Sequence, residues 1–178
     1  MSTTETPVLT GIWRLDPVHS TVGFEIAYMA GTFRGTFREI DAQLTADGQR
    51  TRLEGSANVA SVDVKDDNLA AHLQSPDFFD AERNPELRFS ADGIDLGSGD
   101  VSTLGEITIK GVTQPVDVTG TVSGPMVDAY GNDRIGLQLT TAVDRTRFGV
   151  NWNNPLPNGE PALADEVRIV AELQFVKA

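Results

Sequence analysis

Along residues 21–29 the chain alternates, with Val22, Phe24, Ile26 and Tyr28 on one set of positions and Thr21, Gly23, Glu25 and Ala27 on the other. A period of two puts the first set on one face of an extended chain, so the segment predicts a half-buried strand. The same alternation runs through residues 53–64, through 101–109 (Val101, Thr103, Ile107, Ile109) and through 116–122 (Val116, Val118, Val122). It returns in 135–143 (Ile135, Leu137, Leu139, Thr141, Val143) and in 167–175 (Val167, Ile169, Ala171, Leu173, Phe175), and a further strand is expected at 87–91. Between these runs sit Ala46-Asp47-Gly48, Leu96-Gly97-Ser98-Gly99-Asp100, Lys110-Gly111, Ser123-Gly124-Pro125 and Tyr130-Gly131-Asn132. Such residues adopt a positive φ or preset it, and predict turns. Strands joined by short turns without helical crossovers pair antiparallel; a sandwich and a barrel both satisfy the pattern.

Two segments break the alternation. In 66–83, Asp66-Asp67-Asn68 offers an N-cap, Leu69-Ala70-Ala71-His72-Leu73 can wind, and Pro76 stops the helix. Asp77 is expected to cap a second turn through Phe78, Phe79 and Asp80, with the two phenylalanines plugging an apolar opening. In 145–165, Pro155, Pro157, Pro161 and four asparagines predict a long loop.

The 178 residues suit one domain, read as a flexible tail at 1–9 and an antiparallel β domain at 10–178. Twenty-six acidic against fourteen basic residues give a net charge of −12, which repels nucleic acid and anionic membrane surfaces. Without cysteine there is no disulfide framework and no thiol chemistry. The polar, threonine-rich start lacks a basic and an apolar leader region, and no run approaches the roughly 18 apolar residues of a membrane span. These features lead to the expectation of a cytoplasmic protein without stable membrane insertion.

Candidate chemistry is sparse. Asp16, His19 and Ser20 invite a nucleophile reading, but neighbours on a strand point to opposite faces, so Ser20 is not expected to reach the His19 ring. His19 is instead expected as a hydrogen-bonded wall residue. His19 and His72 lack metal-ligand spacing, and no metal or other cofactor is expected. Arg134, Arg145 and Arg147 are suited to an anionic head group, while ion pairing with the abundant carboxylates is the plainer expectation. Gly97-Ser98-Gly99 fits no phosphate-binding loop, because no helix follows.

Four segments together resemble the YceI-like, polyisoprenoid-binding proteins. They are Trp13-Arg14-Leu15-Asp16-Pro17-Val18-His19-Ser20 with Val22-Gly23-Phe24; His72 through Asp80 with Asn84-Pro85 and Phe89-Ser90; Gly105 through Val116; and Asp144-Arg145-Thr146-Arg147-Phe148-Gly149. The resemblance implies an antiparallel, lipocalin-like barrel of about eight strands with a short helical insert. It also implies an elongated apolar tunnel for a long-chain isoprenoid, a polyprenyl chain or quinone tail, held for carriage, storage or sequestration. An anionic diphosphate head fits awkwardly with the net charge, which leaves a neutral head group or another lipid as options. On this reading Phe24, Ile26, Tyr28, Phe33, Phe37, Phe89, Phe148 and Trp152 line the tunnel, with Phe78 and Phe79 near one mouth. The rival readings are an enzyme or accessory factor acting on a bulky apolar substrate through His19 or His72, and an interaction module with a filled core that recruits a protein partner through residues 151–161. A homodimer is compatible with an exposed barrel edge.

Overall fold

A computed structural model describes residues 9–97 and 99–178; the tail expected at 1–9 lies outside the described residues apart from Leu9, as does Ser98 of the expected 96–100 turn. The described residues contain eleven strand segments: β1 (Thr10–Leu15), β2 (Thr21–Tyr28), β3 (Gly31–Phe37), β4 (Ile40–Asp47), β5 (Thr51–Asn58), β6 (Val62–Asp63), β7 (Glu86–Ile94), β8 (Asp100–Ile109), β9 (Val112–Val127), β10 (Asp133–Asp144) and β11 (Leu163–Lys177). One helix, α1 (Asp67–Gln74), lies between β6 and β7.

The segments amount to eight wall strands. β1 and β2 both run antiparallel to β11 and are parted by a 3₁₀ turn, Pro17–His19. β3 runs on into β4, and β5 into β6 across a second 3₁₀ turn, Val59–Ser61. Every strand then pairs with its neighbour in sequence, and β11 closes on β1 and β2. The result is an up-and-down barrel, which leaves almost no open edge.

The structure corrects several expectations. The strand expected over 53–64 is interrupted because the Asn58 side chain accepts from Ala60 N and turns the chain. Ser123-Gly124-Pro125 is no turn but part of β9, where the ladder to β10 shifts register around Gly124, which has a φ of 94°. A glycine inside a strand marks such a bulge as readily as a turn. Ser75, rather than Asp77, organises the turn after α1, since Ser75 Oγ accepts from Asp77 N and the Ser75 carbonyl accepts from Phe78 and Asp80. Of the loop expected at 145–165, Arg145–Phe148 forms a 3₁₀ turn and Leu163 already starts β11. His19 is an exposed turn residue rather than a wall residue. Ser20 is buried beside it, donating to the Asp16 carbonyl and accepting from Gln174 N, so the two form no catalytic pair.

At the end of the barrel away from α1 the interior is solid. Trp13, Leu44, Ile94, Ile135, Leu137 and Phe175 are all buried there, each contributing about 1.5–3 kcal/mol by leaving water.

A polar tie holds the β1–β2 break shut. Arg134 donates to Asp16 at 2.9 Å and to Asp128 at 2.7 Å, and His19 Nδ1 lies 2.7 Å from Asp16 Oδ2. The hydrogen bond from His19, joined by that from Arg134, holds the Asp16 carboxyl at about 2; the bond from Arg134 does the same for Asp128. Both carboxyls sit below their unfolded values, so their contribution is complete above roughly pH 4 and is lost as pH falls towards about 2. Thermal melts are expected to show a steep fall in Tm across that interval. Arg134→Leu should flatten it; an unchanged slope in the variant would count against the tie.

Candidate functional site

The α1 half of the barrel is hollow. The inward residues there enclose an apolar cavity of about 370 Å³, partly open to solvent. β2 contributes Phe24, Ile26 and Tyr28; β3 contributes Phe33 and Phe37; β7 contributes Phe89. Phe78 and Phe79 reach the wall from the turn after α1, Phe148 from its 3₁₀ turn and Trp152 from the loop that follows. All ten aromatic and aliphatic residues named from the sequence thus border one cavity.

Local sequence explains how these rings are seated. The inward face carries glycine at Gly35 and Gly105, and a ring occupies the space over each: a Cβ on Gly35 would lie 2.6 Å from Phe24 Cζ, and one on Gly105 2.7 Å from Phe89 Cε2. The glycines therefore do not empty the interior; they let two phenylalanines lie flat along the wall. Phe24 stands 5.9 Å from Phe33, 5.8 Å from Phe37 and 6.3 Å from Phe79, within the range of favourable aromatic pairs.

β6 ends the strand order, and α1, which follows it, brings Leu69, His72 and Leu73 to the cavity wall. Asp66 caps α1 by accepting from Leu69 N, and Leu73 and Phe78 are buried beneath it. His72 on α1 packs edge-on against Phe78 at 4.9 Å and Trp152 at 4.8 Å, and its Nε2 lies 3.0 Å from Asp77. Lys110 in the β8–β9 turn donates to the Pro76 and Gly149 carbonyls, joining the two flaps that cover this end.

The loop 149–162 is positioned by Arg145. Its guanidinium is buried, and donates to the carbonyls of Ala164 at 2.8 Å, Val150 at 2.9 Å and Trp152 at 2.7 Å. Burial pushes its pKa below the ordinary arginine value, with Asp165, 3.8 Å away, pulling the other way. The expected ion pair is present as this contact with Asp165, but the hydrogen bonds of the guanidinium go to backbone carbonyls, because the loop must turn its chain inwards and those carbonyls need donors. Arg134 pairs with carboxylates, and Arg147 meets Gln114 at 3.4 Å.

Strand alternation alone also implicates Val22, Ala57, Leu139, Val167 and Ile169, which join the lining. Gly55 and Ala42, small enough to leave the volume open, carry no such signal. Among the described residues no three His, Asp or Glu side chains gather as a metal site, and no helix is long and apolar enough to cross a membrane.

The profile of the YceI-like domain matches residues 13–175. A UPF0312 protein of Staphylococcus epidermidis is 30% identical over 171 residues, covering 92% of this chain and 96% of its own. A UPF0312 protein of Pseudomonas putida is 30% identical over 141 residues, covering 74% of this chain and 71% of its own. The crystal structure of BcnA from Burkholderia cenocepacia superposes with a TM-score of 0.77 at 24% identity, over 90% of this chain and 98% of that one. A polyisoprenoid binding domain from Saccharophagus degradans, implicated in plant cell wall breakdown, superposes with a TM-score of 0.74 at 13% identity, over 93% and 98% of the two chains.

Proposed function

The chain belongs to the YceI-like domain family, and from that premise we propose that its cavity binds the apolar chain of an isoprenoid lipid, polyprenyl or quinone-borne, for carriage, storage or sequestration. The observation that carries this reading is an interior left hollow in one half and walled by aromatic and aliphatic side chains. The likeness of fold to the Saccharophagus degradans polyisoprenoid binding domain supports it.

The physics suits a carrier. Each methylene moved from water into such a wall contributes about 0.8 kcal/mol, so a chain binds tightly with few polar contacts. Three polar side chains that border the cavity are already engaged: Thr141 donates to the Asp117 carbonyl, Arg145 to the loop, and His72 lies against Asp77. No side chain in this arrangement has to act as acid, base or nucleophile, and we read the protein as a binding protein.

Native mass spectrometry of freshly purified protein, followed by organic extraction, tests this. The expected result is an isoprenoid bound at one per chain, or stoichiometric uptake of added prenols by empty protein. Protein that is empty and takes up no prenol overturns the reading. Turnover of a bulky apolar substrate that disappears in His72→Ala would replace it with the enzymatic alternative.

A further inference from the structure

The cavity is blind, and its depth is visible strand by strand. On β4 the lining ends at Ala42 and excludes Leu44; on β5 it ends at Leu53; on β7 it ends at Phe89 and excludes Ala91. On β10 it ends at Leu139 and excludes Leu137, and on β11 it ends at Leu173 and excludes Phe175. On each of these strands hollow thus gives way to solid part-way along its inward face. Leu53 and Leu173 form the floor; their cross-strand partners Leu44 and Leu137, and Phe175 at the next inward position of β11, each at most 1% exposed, close the interior there. At the other end Tyr28, 37% exposed, stands at the α1-side rim.

From this geometry we infer that the site selects isoprenoids by chain length and encloses about three isoprene units. A cavity of 150 Å³ accommodates benzene, so 370 Å³ holds about fifteen carbon atoms. The chain enters tail first from the α1 end and stops on Leu53 and Leu173. A longer chain leaves its surplus outside the barrel, where further methylenes gain little. The inference rests on the lipid-binding reading and adds a limit to it.

The test is a series of linear prenols of two, three, four and five isoprene units, with affinities referred to aqueous solution. Each buried methylene is worth about fourfold in affinity, so binding should tighten by at least about a hundredfold from two units to three. It should then change by less than about threefold per added unit. Leu53→Ala removes three carbons from the floor and should extend the rise towards four units. Ala171→Leu, on the lining just above the floor, should end the rise earlier. Affinity that keeps climbing steeply to five units, with neither variant moving the plateau, overturns the length limit while leaving lipid binding intact. Failure of every prenol to bind overturns both.

Discussion

Gly55→Phe is expected to leave the barrel folded and to abolish lipid uptake. Gly55 lies between Leu53 and Ala57 on β5, facing the cavity. A Cβ built there meets only the Asp41 carbonyl at 3.5 Å and the Ala42 Cβ at 3.7 Å, both ordinary contacts. Its φ is not in the left-handed region, so a side chain starts without backbone strain. Phenylalanine is also a better strand residue than glycine, which keeps stability level or raises it. The ring brings seven carbons into a space that holds about fifteen. Displacing that much ligand forfeits about 5 kcal/mol, more than a thousandfold in affinity. The check is the same prenol titration with circular dichroism and a thermal melt as controls. A folded variant that still binds within tenfold of the parent would place the lipid elsewhere.

Arg145→Met is expected to cost about 3 kcal/mol and to release the loop 149–162. Methionine keeps most of the aliphatic stem but none of the donors that reach the Ala164, Val150 and Trp152 carbonyls. A hydrogen bond from a charged group contributes about 1.5–3 kcal/mol, and a buried carbonyl left unpaired costs about 1–3 kcal/mol. Relief from burying a guanidinium offsets part of the sum. For a chain of this size the loss corresponds to a fall in Tm of roughly 10 °C. Hydrogen exchange should quicken across 149–162 and little elsewhere, because the solid half of the barrel does not touch this residue. Arg145→Lys should recover only part of the loss, since one ammonium on a flexible stem cannot span three carbonyls. Equal melting points and unchanged exchange in Arg145→Met would show that the loop is held by other contacts.

These outcomes depend on features of very different visibility in the sequence. The alternation in 21–29, 135–143 and 167–175 reads directly as strands whose inward faces are Phe24, Leu139 and Ile169. β4 is harder to see, because its inward face is Ala42, Leu44 and Ala46, two of them too small to mark an apolar stripe. Gly124 illustrates the opposite error: a residue that permits a turn also permits a bulge, and only the partner strand β10 decides which forms. Arg145 shows a further limit. Its charge suggests carboxylates or an anionic ligand, and Asp165 does lie 3.8 Å away, but its hydrogen bonds go to carbonyls at Val150 and Trp152 that face it only once the loop has folded.

Periodicity, turn residues and the four ordered segments together determined the strands, their inward faces, the helical insert and the family. Those properties are local, set by backbone sterics and by which side chains avoid water, and so they are written residue by residue. Tertiary structure alone decided that the barrel is solid beneath Leu53 and Leu173 and hollow above them. Volume is a property of all eight wall strands at once: Phe24 occupies the space over Gly35, Phe89 that over Gly105, and no ring covers Gly55, whose Cβ position meets only Asp41 and Ala42 at ordinary contact distance. Whether an inward glycine is covered or left open depends on a neighbour brought to it by the register of the sheet, and no single strand carries that information.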